Sequence, residues 1–328
     1  MGGDRMMLSR EKLFAEAART GFRSDVLEKV VRLIGLLETI QRHPFLKGKL
    51  ALKGGTALNV FHFNLPRLSV DIDLNYVGAV DREAMLEERP KVDQALRAVF
   101  QREDFSIRRM PEEHAGGKWL LRYASASGQG GNLEVDVNYM YRLPLFPLRL
   151  CDSHPVGAWM AEAIPLVDIH ELAAGKLTAL MVRQQARDLF DSVHLLRLPD
   201  IDTKLLRIAF VVYGAMNRKD WRTVTVRDID FDPAELTRLL LPTLRGVNLT
   251  RASDGEAYGK ELVADCSMLM SQLLPFSEPE RRFLELLLDR GIIDASMLTE
   301  DRELLERIER QPLLAWKAAH VRRHRGLH

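Results

Sequence analysis

Cysteine is scarce. The 328 residues include only two, Cys151 and Cys266, with no CxxC spacing. That excludes a disulfide framework and makes a reducing cytoplasm the simplest setting. Long apolar runs are missing too: none reaches the roughly 18 residues that suggest a membrane span. Met1 to Glu11 has no apolar h-region, so it does not read as a secretory signal. Met6 and Met7 are both possible starts. There is no HExxH pattern, no Ser or Cys nucleophile elbow and no Walker A motif, because Gly54-Gly55-Thr56 lacks the Lys-Ser/Thr ending of a P-loop. No internal repeat or low-complexity stretch is present. Net charge is only +1, so any contact with a polyanion has to come from a local patch.

What is present is a chain built for a large core. Hydrophobic residues make up 46% and charged residues 28%, enough to fill an interior beneath a charged surface. Residues 10–46 carry Val26, Val30, Leu33, Ile34 and Leu37 at helical spacing. Leu50-Ala51-Leu52 reads as a short strand ending at Gly54-Gly55, and Ala57 to Phe63 as a helix with Thr56 placed to cap it. Val70 to Val77 starts with the alternation of a half-buried strand. Residues 83–101 read as a helix, while 106–109, 119–123 and 133–137 read as strands. Prolines punctuate residues 143–165, and beyond them the pattern is helical almost to the end. The expected class is α+β. N-terminal helices (1–47) pack on a catalytic core (48–150), and a helical C-terminal domain follows (151–328).

Several clusters carry chemistry. Gly54-Gly55-Thr56 can bring backbone N–H groups, a helix N-terminus and a hydroxyl to a phosphate. An ordinary strand–helix turn is the plainer reading of those glycines. Asp71 and Asp73 share one strand face, opposite Val70, Ile72 and Leu74. Two like charges side by side call for a cation, and Mg²⁺ suits oxygen ligands. Asp136 recurs in a similar setting, opposite Val135 and Val137. It is the candidate third carboxylate that activates an attacking hydroxyl, or else a surface acid. Lys176 lies on or beside the apolar face of its helix, where either nucleotide phosphates or snorkelling would satisfy it. Asp188 and Asp191 share a helix face. Arg187 with Asp191 reads as an i,i+4 ion pair, or the two carboxylates orient Lys176 or Arg187. The basic tail, Lys317, His320, Arg322, Arg323, His324 and Arg325, reads either as a solvated helix end or as an RNA contact.

The run Leu52-Lys53-Gly54-Gly55-Thr56-Ala57-Leu58, followed by Arg67-Leu68-Ser69-Val70-Asp71-Ile72-Asp73-Leu74, resembles the AbiEii/AbiGii-type toxin nucleotidyltransferases, a group that includes the MenT toxins. The resemblance continues through Glu171 to Leu180, Arg187-Asp188-Leu189-Phe190-Asp191 and Pro312 to Lys317. It implies a polymerase-β-like nucleotidyltransferase core with a large helical C-terminal domain. It also implies an NTP and Mg²⁺ (or Mn²⁺) as cofactors, and action as the toxin of a toxin–antitoxin or phage-defence pair with a cognate antitoxin. On that pattern Gly54, Gly55 and Thr56 hold triphosphate, Asp71 and Asp73 hold metal with Asp136, Lys176 contacts the nucleotide and Asp191 completes the site. Ser69, Arg187 and Asp188 belong to the nucleotide-binding set. Ser69 matches a hydroxyl that the antitoxin phosphorylates in part of the family. Gly175 departs from the family pattern, in which Glu precedes the lysine. The function so implied is transfer of a nucleoside monophosphate to RNA, at the tRNA 3′ end, blocking translation. The alternatives are a small-molecule or protein acceptor, or a nucleotide-binding module without turnover.

Overall fold

A computed structural model describes residues 9–111 and 116–326. The possible starts Met6 and Met7 lie outside the described residues. Helix α1 (Arg10–Thr20) begins where the Ser9 hydroxyl accepts the Lys12 N–H, and it ends on Gly21 in the left-handed conformation. Helix α2 (Ser24–Arg42) buries Leu27, Val30, Leu33, Ile34 and Leu37 along one face. Next come β1 (Leu50–Lys53), α3 (Gly54–Thr56) with a π-helical continuation over Ala57–His62, and β2 (Asp71–Tyr76). Helix α4 (Arg82–Arg102) is capped by Asp81. Strands β3 (Ser106–Arg109), β4 (Gly116–Ala124), β5 (Gly130–Asn138), β6 (Arg149–Cys151) and β7 (Ile164–Leu166) complete one seven-stranded sheet.

The sheet order is β3-β4-β5-β2-β1-β7-β6. β2 runs parallel to β5, β1 runs parallel to β7, and the other neighbours are antiparallel. Parallel neighbours need crossovers, so β2 and β5 are brought side by side from distant points in the chain. The apolar side of the sheet meets the first helices: Leu37 and Ile40 share a crevice with Leu52 and Leu74, and Phe100 of α4 packs edge-on to Trp119. The opposite side carries Asp71 and Asp73.

The sheet does not stop near residue 150. β6 lies in the proline-punctuated stretch of 143–165 and β7 at its end, where the sequence reading placed no strand. Three residues are too few to show alternation, and β7 earns its place by pairing with β1. After β7 the chain is helical: α5 (Ile169–Arg183), α6 (Ala186–Leu196), α7 (Thr203–Ala215), α8 (Pro233–Glu235), α9 (Gly246–Arg251), α10 (Gly255–Met270), α11 (Glu278–Arg290), α12 (Arg302–Glu309) and α13 (Pro312–Arg325). A capping box opens α11: the Glu280 carboxylate accepts the Ser277 N–H at 2.6 Å. Among the described residues no helix is long and apolar enough to cross a membrane.

Candidate active site

The site begins where β1 turns into α3. Gly54 has φ +74°, and a Cβ there would collide with the Asp73 carboxylate, so both conformation and space demand glycine. A Cβ on Gly55 would lie 2.8 Å from Ser69 Oγ and 3.0 Å from an Arg67 guanidinium nitrogen. The turn is therefore pressed against Asp73 on one side and against Ser69 and Arg67 on the other. The sequence reading of Thr56 as a helix cap fails. The helix already starts at Gly54, and its N-cap is Lys53, whose side chain makes no capping bond. Thr56 is fully buried and donates its hydroxyl to the Asp71 backbone carbonyl at 2.5 Å. It ties α3 to β2 and turns no hydroxyl outward.

Register brings the acids together. Asp73 lies opposite Asp136 and Asp71 opposite Glu134 on the parallel strands β2 and β5. Ile72 and Leu74 are buried behind them. Among the described residues, the carboxylates of Asp71, Asp73 and Asp136 are taken up by no hydrogen bond or ion pair of their own. Burial, then the nearby charge of Asp73 and of Glu134, pushes the Asp71 carboxyl above the usual range, with Arg187 and Lys118 opposing. Asp136 is raised the same way, by burial and by Asp73, against Lys53 and Lys118. Glu134 is different, because Lys118 donates to it at 2.7 Å. The result is a face of unrelieved negative charge beside a glycine turn.

Below this face lies a second, closed cluster. Asp191 is fully buried and accepts two bonds from Arg67, at 2.8 and 2.6 Å, and one from Asn59 at 2.9 Å. The Lys176 ammonium stands 3.1 Å from Asp191 and 2.8 Å from Asp188, and Asp188 also takes Arg183 at 2.9 Å. Burial opposes charge on Asp191, Lys176 and Arg67, but their partners win. Asp191 is held well below the ordinary carboxylate range, and Lys176 and Arg67 above theirs. Asp188 and Asp191 thus both contact the Lys176 ammonium. The i,i+4 pair of Arg187 with Asp191 does not form. Arg187 turns instead to Glu235, at 2.9 Å, while Asp191 is taken up by Arg67 and Lys176.

A profile of the AbiEii family, described as nucleotidyl transferase AbiEii toxin of type IV toxin–antitoxin systems, matches residues 36–282. That span is most of the chain and contains every acid and glycine of the site. The chain belongs to this family. It is a nucleotidyltransferase toxin of the AbiEii kind. The fold agrees with that of MenT4, a nucleotidyltransferase toxin from Mycobacterium tuberculosis H37Rv, with a TM-score of 0.62 at 21% identity, covering 93% of this chain and 99% of that one. No curated protein sequence matches it.

In this AbiEii-family chain, no three His, Cys, Asp or Glu side chains are drawn together as metal ligands among the described residues. The expected carboxylate set is thus aligned by backbone register without its oxygens being gathered into a cage. The donor set still fits a hard divalent cation. All its donors are carboxylate oxygens, two of its members have raised pKa values, and none is neutralised by a direct ion pair. Asn59 escapes sequence reading as a site residue, and Arg67 enters it only as part of the family pattern. A buried arginine needs a partner, which is the available signal, but its partner lies 124 residues away. Glu171, buried in α5, likewise enters only as part of the family pattern. It accepts the Tyr213 hydroxyl at 2.9 Å and the Phe146 N–H at 3.1 Å, and burial pushes its pKa up to about 7. Tyr213 stacks on Tyr141, and the Lys53 ammonium sits 5.6 Å from the Tyr141 ring centre. Gly175 leaves room: a Cβ there would meet Tyr213 at an ordinary 3.5 Å.

Proposed function

We propose that this toxin transfers a nucleoside monophosphate from an NTP to the 3′ hydroxyl of an RNA, at the tRNA 3′ end, and so blocks translation. Asp71, Asp73 and Asp136 would hold Mg²⁺ or Mn²⁺. The bound cation neutralises charge on the triphosphate. The amides of Gly54 and Gly55 at the start of α3 receive phosphate oxygens, with Ser69 beside them. Asp136, whose raised pKa suits a base, accepts the proton of the attacking hydroxyl. The new bond joins that oxygen to the α-phosphorus, and the pyrophosphate leaves. Lys176, fixed by Asp188 and Asp191, holds a positive charge beneath the phosphate turn.

One observation carries this reading: Asp73 and Asp136 stand level on adjacent parallel strands, with the Gly54 turn closed against Asp73. The test is mass spectrometry of RNA 3′ ends after incubation of the purified protein with each NTP in turn. One added nucleotide is expected, lost in a folded Asp71→Ala variant. Label that appears only on proteins or metabolites, with RNA untouched, would replace the RNA acceptor by another. Transfer undiminished in Asp71→Ala would remove the acids from the reaction.

A further inference from the structure

The last helix presents a surface that the transfer site does not use. α13 has no acidic residue between Pro312 and Arg325. Leu314, Ala318 and Val321 form its buried side, and the helix packs against α11. The outer side carries Trp316, His320 and His324 at one-turn intervals. The Trp316 side chain is 55% exposed. Its indole lies nearly parallel to the His320 ring, with centres 5.2 Å apart and planes 27° apart, and the His324 ring follows at 4.3 Å, tilted by 55°. Arg322, Arg323 and Arg325 crowd the end of the row. Desolvation and then the positive charges of His324, Lys317 and Arg323 keep His320 below its usual pKa. Asp289, which pairs with the helix through Arg325, also pairs with Arg222.

The helix is anchored toward the active site. Gln311, just before α13, donates to the Leu143 carbonyl at 2.8 Å, and Arg307 donates to that of Pro144 at 3.1 Å. Both carbonyls lie in the segment that continues β5 past Asp136. Lys317 donates to the Asn217 carbonyl at 2.8 Å, beyond the end of α7, the helix whose Tyr213 stacks on Tyr141. The aromatic row thus starts on the side where the chain leaves the acidic strand.

We propose that Trp316, His320 and His324 form a stacking platform for a single-stranded segment of the RNA acceptor, with Arg323 meeting its phosphates. The inference rests on the RNA reading above. Every base has a π-face, so stacking on aromatic side chains tolerates any sequence. The ring centres stand 5.2 and 4.3 Å apart, wider than the ~3.4 Å spacing of bases in a duplex strand. The row therefore suits splayed, unpaired bases. Two histidines four apart can also hold a metal, but the charges acting on His320 are positive, and no third ligand stands with them among the described residues.

The test uses the full chain carrying Asp71→Ala, so that no turnover interferes, and fluorescence anisotropy with a short labelled single-stranded oligoribonucleotide. Adding Trp316→Ala is expected to weaken binding about tenfold, with Trp316→Phe restoring most of it. Arg323→Ala is expected to lower the salt-dependence slope by about one phosphate contact. A duplex of the same sequence should bind more weakly than the single strand. In the active protein, Trp316→Ala should raise the KM for RNA about tenfold and leave the KM for NTP in place. An unchanged Kd and KM in Trp316→Ala would overturn the proposal while leaving the transfer reading intact. So would a variant that loses only its neutralisation by the antitoxin, or binding abolished by EDTA. If no RNA is a substrate at all, the transfer reading falls, and the anisotropy arm still decides the platform.

Discussion

The two charged clusters of this protein use the same residue types to opposite ends. On the open face, Asp71, Asp73 and Asp136 repel one another, and no partner of their own relieves them. In the closed cluster, Asp188 and Asp191 are just as close to other charges, yet Arg67, Lys176, Arg183 and Asn59 satisfy them. Buried charge survives only where it is paired. The open face is therefore a place for something the protein must acquire, whereas the closed cluster is a fixed mount. An acid in the first set should matter to activity and hardly to stability, and an acid in the second should matter to stability first.

The largest effect that would break this contrast is in the open face. Asp73→Asn should lower nucleotidyl transfer by about 10²–10³-fold, measured by incorporation of labelled NTP. Its melting temperature should stay level or rise, because a repelling charge has gone. A large fall in melting temperature would move Asp73 into the scaffold. In the closed cluster, Asp191→Ala strands Arg67 and Lys176 without their shared carboxylate. Removing one partner from a buried ion pair costs about 3–5 kcal/mol, to be read from urea unfolding. A variant as stable as the parent would show that the cluster does not hold the fold.

Glu171 sharpens the contrast through pH. Its pKa in the folded protein, about 7, lies above the ordinary 4.5. The protonated form is thus favoured by the fold, and its contribution is fully present below pH 4.5 and lost as pH rises through 7. A tenfold change in proton affinity is worth about 1.4 kcal/mol, so the decline amounts to roughly 3 kcal/mol. Glu171→Gln should abolish that part of the pH dependence in unfolding curves taken from about pH 4.5 to about pH 8. The smallest effect belongs to Lys118, whose bond to Glu134 is largely solvent-exposed. Lys118→Ala should change stability by no more than about 0.5 kcal/mol. It should also raise the pH at which activity fails on the acid side, since Lys118 opposes the raised pKa values of Asp71 and Asp136. A pH–rate profile checks this.

Alternation along residues 70–74 is enough to put Asp71 and Asp73 on one face, and the glycine pair is enough to mark a turn. The long helices are equally plain from their spacing, because those signals are local. Thr56 reads wrongly from sequence because only the real start of α3 shows where its hydroxyl points. Arg187 does so because i,i+4 spacing permits a pair that Glu235, 48 residues on, takes away. β7 is invisible in the sequence because its reason for being a strand is its neighbour β1.

Periodicity and composition by themselves determined the helices, the acid-bearing strands, the glycine turn and the absence of a long apolar span, since each depends on residues close together in the chain. Only the tertiary structure decided that Asp136 stands level with Asp73, that Arg67 and Lys176 share Asp191, and that α13 is anchored beside the end of β5. Those contacts join residues far apart in sequence. Sheet register and burial select them from many pairings that the chain alone would allow.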